Sequence, residues 1–253
     1  MRLLLVDNSN TRTKFAVGTV SGLIPDMARL PTRDLNASRL ESIKKRFTYD
    51  GVVISSVVPE KAALLREALA PVPLHEISHR SDLPIGIDYP LPQQIGADRL
   101  ANAVAVHERH GSPAIVVDFG TAVTFDVLGG EGSYLGGVIA PGLASMTEYL
   151  HRRTALLPQI DLAEPDSAIG KSTTEAMRAG AVYGYRGMIR EILEAVRREL
   201  DADPKVVATG GDAALITSDL PEVIEVVPNL TLDGIDLIGR RNLQHSEEGG
   251  AAE

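Results

Sequence analysis

The residues best suited to chemistry lie in the stretch 114–126, AIVVDFGTAVTFD. An apolar run from Ala114 to Val117 ends in Asp118. A turn through Gly120 follows, with the hydroxyls of Thr121 and Thr124 beside it, and Ala122 to Phe125 reads as a second strand. Turn amides and hydroxyls donate to phosphate oxygens, and a carboxylate at a strand end holds the cation that neutralises a phosphate. A plain β-hairpin with a polar turn has the same pattern, so this stretch alone leaves both readings open. Residues 6–15, VDNSNTRTKF, echo residues 117–126: Asp7 aligns with Asp118, Ser9 with Gly120 and Thr13 with Thr124, each copy after an apolar strand. The echo predicts two similar domains, each opening with strand, Asp, turn, strand, and facing each other across a cleft.

Other residues could serve such a site. Asp98 and Arg99 fall in or just before the first turn of a helix expected to end near His110. An Asp there is at home as a cap or dipole partner, whereas an Arg opposes the dipole. The pair reads as Arg99 for an anionic group and Asp98 as a base, with Tyr89, seven residues before Gly96, closing the same pocket. Ser55 and Ser56 end a buried strand, 51–54, where they serve either as ligand donors or as turn and cap residues. Gly210-Gly211 lets a flat ring or a phosphate lie against the backbone.

Several motifs fail. His107 and His110, and likewise His75 and His79, lack a third ligand for a metal, and no HExxH spacing occurs. The GKST string at 170–173 has Pro165 where a P-loop has its first Gly, and no strand precedes it. It reads as a loop and N-cap for a long helix to about Leu200. In that helix the small-residue stretch 176–187 has room for close packing, such as a subunit contact.

The elements that would position these residues alternate strand and helix, which predicts an α/β fold. Strands are expected at 2–6, 14–20, 51–54, 114–117, 122–125, 134–142, 205–208 and 223–227. Helices are expected at 37–47, 60–70, 143–151 and 233–243, with one opening near Asp98 and Arg99 and running to about His110 and a long one after the GKST string to about Leu200. The segments 80–94 and 154–168 read as irregular. The division expected is 1–112, 113–243 and a disordered tail, 244–253, ending EEGGAAE. The chain of 253 residues carries 25 Lys and Arg against 34 Asp and Glu, a net charge of −9, which argues against broad nucleic-acid binding. With no Cys, disulfides and thiolate metal sites are excluded. No signal-peptide pattern and no apolar run of about 20 residues is found, so a soluble cytoplasmic protein is expected, without a membrane partner.

Taken together, DNSNT at 7–11, SSVVP at 55–59, GADR at 96–99, DFGTAVTFD at 118–126, YLGGVIAPG at 134–142, IGKST at 169–173 and TGGDA at 209–213 resemble the type III pantothenate kinases. These belong to the acetate and sugar kinase/Hsc70/actin superfamily. The resemblance runs from Leu3 to about Leu243 and implies two actin-like (ribonuclease H-like) domains. It implies ATP-dependent phosphorylation of pantothenate, the first step towards coenzyme A, in a cytoplasmic homodimer. By position it assigns Asp98 as general base and Tyr89, Gly96, Ala97, Arg99 and Thr173 to pantothenate. It assigns Asp7, Asn8, Ser9, Asn10, Thr11, Arg12, Thr13, Lys14, Thr121, Gly210 and Gly211 to ATP. Asp118 would hold a monovalent cation, K+ or NH4+, and Asp7 would lie near the Mg2+ of MgATP. One position departs: the family's D-x-G-N-T has Ser9 for Gly. If that position needs positive φ, Ser costs on the order of 1 kcal/mol or more, and its side chain could crowd the phosphate or donate to it. Weaker ATP use, another phosphoryl donor, or a non-catalytic regulatory or binding protein on the same scaffold are the alternatives this substitution raises. A different small-molecule kinase of the superfamily fits the GADR and IGKST pieces less well.

Overall fold

The computed structural model describes residues 1–248, with side chains described to Leu243. The chain divides into two compact units, residues 1–109 with 229–253, and residues 110–228. The first unit opens with β1 (Leu3–Asn8), buried along its whole length, and β2 (Arg12–Thr19). Short strands β3 (Gly22–Leu23) and β4 (Ala28–Pro31) follow. Helix α1 (Ala37–Arg46) starts where Asn36 Oδ1 accepts the Arg39 N–H at 3.0 Å, and it ends on Lys44, Lys45 and Arg46, which suit the negative end of the helix. Then come β5 (Gly51–Ser56), α2 (Pro59–Leu69) with Pro in its first turn, β6 (Leu74–Glu76), β7 (Gly86–Ile87) and α3 (Ala97–His110). Strand residues Leu4, Val6, Val52 and Ile54 share one face and pack with Leu40 and Ile43 of α1 and Leu65 and Leu69 of α2.

The second unit contains β8 (Ala114–Phe119), β9 (Ala122–Leu128), β10 (Ser133–Pro141), α4 (Leu143–Arg153), α5 (Thr173–Leu200), β11 (Lys205–Gly210), α6 (Ala213–Thr217) and β12 (Val223–Val226). Its core joins Ile115, Val117 and Phe125 to Val182, Tyr185 and Ile189 of α5. The last helix, α7 (Leu230–Glu248), returns to the first unit. There Thr231 Oγ1 donates to Asn102 Oδ1 of α3 at 2.8 Å, and Asn242 Nδ2 donates to the Asp82 carbonyl at 2.9 Å. The two units meet along the chain after Arg109 and again after Pro228. Residues 244–248 continue α7 rather than starting a disordered tail, and residues 249–253 lie outside the described residues.

Both units repeat one topology. The first sheet runs β3-β2-β1-β5-β6, and the second contains the order β10-β9-β8-β11-β12. In each, the opening strand pairs antiparallel with the next strand and parallel with a later one. The echo between residues 6–15 and 117–126 is therefore a structural duplication. Its ungapped alignment slips by one residue, however. Asp7 pairs with Lys14 in the first hairpin, while Asp118 pairs with Thr124 in the second. The second turn is one residue shorter, so Lys14, not Thr13, is the counterpart of Thr124.

Candidate active site

Period-two alternation sorts the first phosphate motif into two faces. Asp7 ends β1 on one face, beside Lys14 of β2 and Ser55 of β5. Lys14 Nζ stands 3.0 Å from Asp7 Oδ2, and Ser9 Oγ donates to Asp7 Oδ1 at 3.0 Å. Asn8, Thr13 and Ser56 lie on the other face. Asn8 Nδ2 donates to Thr13 Oγ1 at 2.8 Å, and Ser56 Oγ donates to Asn8 Oδ1 at 2.7 Å. Asn8 and Thr13 are closed to solvent, at 1% and 0% exposure, so they shape the turn from beneath. Asn10, Thr11 and Arg12 are exposed at its tip. Ser9 does not have positive φ: the one non-glycine residue with positive φ among those described is Asp201. The strain that a Ser in a Gly position raised on sequence grounds is therefore absent.

Ser55 and Ser56 look alike in sequence, and the fold separates them. Ser56 is bonded into the turn. Ser55 Oγ is buried on the Asp7 face and has no hydrogen-bond partner. A buried hydroxyl without a partner costs roughly 1–3 kcal/mol, which makes Ser55 the better candidate ligand donor of the two serines that the sequence left open.

The GADR motif reaches the same strand end through SSVVP. Val57 N–H donates to the Asn8 carbonyl at 3.1 Å. A Cβ built on Gly96 would stand 3.5 Å from Val57 Cγ1 and overlap Asp98 Oδ1, so Gly96 leaves room for the Asp98 carboxylate. Asp98 lies half-buried in the first turn of α3 and accepts the Arg99 N–H at 2.8 Å. Helix N–H groups favour negative charge there. Arg99 and Tyr89 are half-buried, and Ala97 is buried.

In the second unit three motifs meet at the end of β8. Half-buried Asp118 lies in register with Thr124 of β9 and Thr209 of β11. Gly211 N–H donates to the Phe119 carbonyl at 3.0 Å, and Gly210, with φ +96°, lies so close to the Phe119 backbone that a Cβ would overlap it. Gly142 N–H donates to the Thr121 carbonyl at 3.1 Å, docking the Pro-Gly end of β10 on the exposed turn. Beneath it, buried Tyr185 donates to the Pro141 carbonyl at 3.2 Å, and burial pushes its phenol well above the usual range. Tyr185 therefore stays a neutral donor.

Thr173 is the exposed first residue of α5. Ser172 Oγ accepts the Glu175 N–H at 3.2 Å, and Glu175 Oε2 accepts the Lys171 N–H at 2.8 Å, so the GKST string is a helix cap, as its context predicted. Thr173 borders an apolar groove of about 950 Å3 formed with Met146, Tyr149 and Leu150 of α4 and Met177 of α5. The histidines do other work: His75 Nε2 is 2.9 Å from Ser81 Oγ, and His110 Nε2 is 2.9 Å from Glu225 Oε2. Among the described residues, no three His, Cys, Asp or Glu side chains group to hold a metal. No helix among them is long and apolar enough to cross a membrane.

Residues 3–195 match the family model for type III pantothenate kinases. The chain belongs to the type III pantothenate kinase family. The type III pantothenate kinase of Akkermansia muciniphila is 53% identical over 243 residues, 96% of this chain and 100% of its own. That of Methylacidiphilum infernorum is 43% identical over 239 residues, 94% of this chain and 88% of its own. Among solved structures, acetate kinase from Entamoeba histolytica superposes with a TM-score of 0.54 at 10% identity, covering 96% of this chain and 100% of that one. The activator of 2-hydroxyisocaproyl-CoA dehydratase from Clostridium difficile, with bound ADPNP, gives 0.54 at 12% identity, covering 100% and 98%. These distant likenesses establish the actin-like fold. Within it, this type III pantothenate kinase family member brings DNSNT, SSVVP and GADR together in one unit, and DFGT, APG and TGGD in the other.

Proposed function

We infer that the chain transfers the γ-phosphoryl group of ATP to the terminal hydroxyl of pantothenate, opening coenzyme A synthesis. The observation that carries this reading is 53% identity to a type III pantothenate kinase along 96% of the chain. The packing of GADR beside the first phosphate turn supports it. Phosphoryl transfer asks little covalent work of a protein; alignment and charge neutralisation suffice. Asn10, Thr11 and Arg12 at the exposed turn, with Lys14, donate to phosphate oxygens, as does Thr121. Gly210 and Gly211 offer bare backbone to the adenosine. Gly96, Ala97, Arg99, Tyr89 and Thr173 hold pantothenate, Arg99 meeting its carboxylate. Asp98 accepts the proton of the attacking hydroxyl.

Magnesium brought with ATP supplies charge neutralisation at the phosphates. The donor set fits it: each carboxylate oxygen of Asp7 has one protein partner, which leaves lone pairs for the ion or its waters, and orphaned Ser55 Oγ lies beside it. Asp118 and nearby turn carbonyls are oxygen donors suited to K+ or NH4+. A homodimer is supported by the apolar α4–α5 groove, where Tyr149 is 62% exposed.

The test is pantothenate-dependent ADP release from MgATP in potassium, in ammonium and in sodium alone. Turnover that needs pantothenate and either potassium or ammonium is expected. A folded protein without turnover, with other nucleotide donors also tried, would overturn the reading. The non-catalytic alternative drew on Ser9, which has neither a strained φ nor a hydroxyl left idle.

A further inference from the structure

Arg186, in the middle of α5, is a deeply buried charged side chain, at 1% exposure. Its Nε donates to the Ile216 carbonyl at 3.0 Å, and Nη2 donates to the Leu215 carbonyl at 2.8 Å and to Ser218 Oγ at 2.7 Å. Glu164 closes the fork from the solvent side, with Oε1 at 2.8 Å from Nη1 and Oε2 at 2.6 Å from Nη2. The planar guanidinium thus ties three segments: α5, the irregular stretch before it, and the last turn of α6.

α6 has five residues, too few to be stable alone. The carbonyls of its last turn have no helical partner, and Arg186 supplies donors for two of them. α6 also follows Gly210-Gly211-Asp212 directly. One side of that turn is held by the Phe119 backbone, and its other side continues into a helix whose end is held by Arg186.

We propose that Arg186 is a positioning residue for the nucleotide: through α6 it holds the Gly210–Asp212 turn in the shape that receives the adenosine. Glu164 keeps the guanidinium in place. This rests on the reading of Gly210 and Gly211 as nucleotide contacts.

Glu164 is half exposed, so its variants remain folded. Glu164→Ala raises the KM for ATP and the Kd for MgADP roughly 5-fold, the size of one ordinary hydrogen bond. The KM for pantothenate stays within about twofold. Glu164→Gln, which keeps one acceptor, falls between wild type and Glu164→Ala, and Arg186→Lys weakens nucleotide binding further. Unchanged nucleotide binding in Glu164→Ala, or an equal rise in both KM values, overturns the proposal. Hydrogen exchange at amides 210–217 reads the tie whether or not the chain turns over pantothenate. Faster exchange in Glu164→Ala is expected, and unchanged exchange overturns the tie even if the kinase reading stands. Faster exchange alongside a wild type that binds nucleotide without turnover overturns the kinase reading and upholds the tie.

Discussion

The Ser9 hydroxyl donates to Asp7 Oδ1 at 3.0 Å, at the position where the type III pantothenate kinases resembled in sequence carry glycine. The hydrogen bond fixes the carboxylate on the side away from Lys14. Ser9→Gly and Ser9→Ala free that oxygen and let the carboxylate turn towards Lys14. We expect each to raise the MgATP concentration needed for half-saturation roughly 3- to 10-fold, about the worth of one ordinary hydrogen bond. Ser9→Thr, which keeps the hydroxyl, stays near wild type. Nucleotide saturation curves and calorimetric binding of MgADP decide it, and superimposable curves for Ser9→Gly would refute the role.

Asp98 occupies the first turn of α3, with Gly96 leaving space for its carboxylate. Asp98→Asn keeps the shape and removes the proton acceptor. Its kcat is expected to fall about 100-fold or more, with the KM for pantothenate nearly unchanged. A variant with near-normal turnover would remove Asp98 from the chemistry.

Asp118 is the carboxylate of the proposed monovalent cation site. With Asp118→Asn, the gain in activity from replacing sodium by potassium disappears. So does the potassium-dependent rise in Tm expected for wild type. Thermal scans in the two salts read this without any substrate, and an equal rise in both proteins would place the cation elsewhere.

Ser55 Oγ is buried beside Asp7 with no partner. Ser55→Ala removes a desolvated hydroxyl and is expected to raise stability by about 1 kcal/mol in denaturant unfolding. If the hydroxyl serves MgATP, the same variant binds it more weakly. Lower stability together with unchanged binding would show instead that Ser55 is a packing residue.

The Arg186 guanidinium holds the Glu164 carboxyl below its usual value of 4.5. In the folded chain Glu164 stays ionised at acidities where the unfolded chain binds a proton. Its contribution to stability is therefore full above about pH 4.5 and is lost as pH falls through the lowered value. Solvent screening keeps the contribution modest. Urea unfolding from pH 3 to 7 should show wild type losing more stability than Glu164→Gln below pH 4.5, and parallel curves would count against the ion pair.

Local pattern determined much of this protein. Apolar strands ending in Asp7 and Asp118, the helix opening at GADR and the cap at Ser172 are short-range arrangements. Their hydrogen bonds close within a few residues, so they can be read along the chain. The order of those pieces also carried the family. The tertiary structure decided what depends on register and burial. A turn one residue shorter matched Thr124 with Lys14 rather than Thr13, and side-chain alternation then put Asp7 with Lys14 and Asn8 with Thr13. Ser55 and Ser56 parted in the same way, one orphaned and one bonded. α7 returned to the first unit, where Leu232, Ile235 and Ile238 are buried. Arg186, Glu164 and the end of α6 lie tens of residues apart, with no motif joining them. Only packing brings their charges and carbonyls together, because a buried guanidinium must find every partner through space.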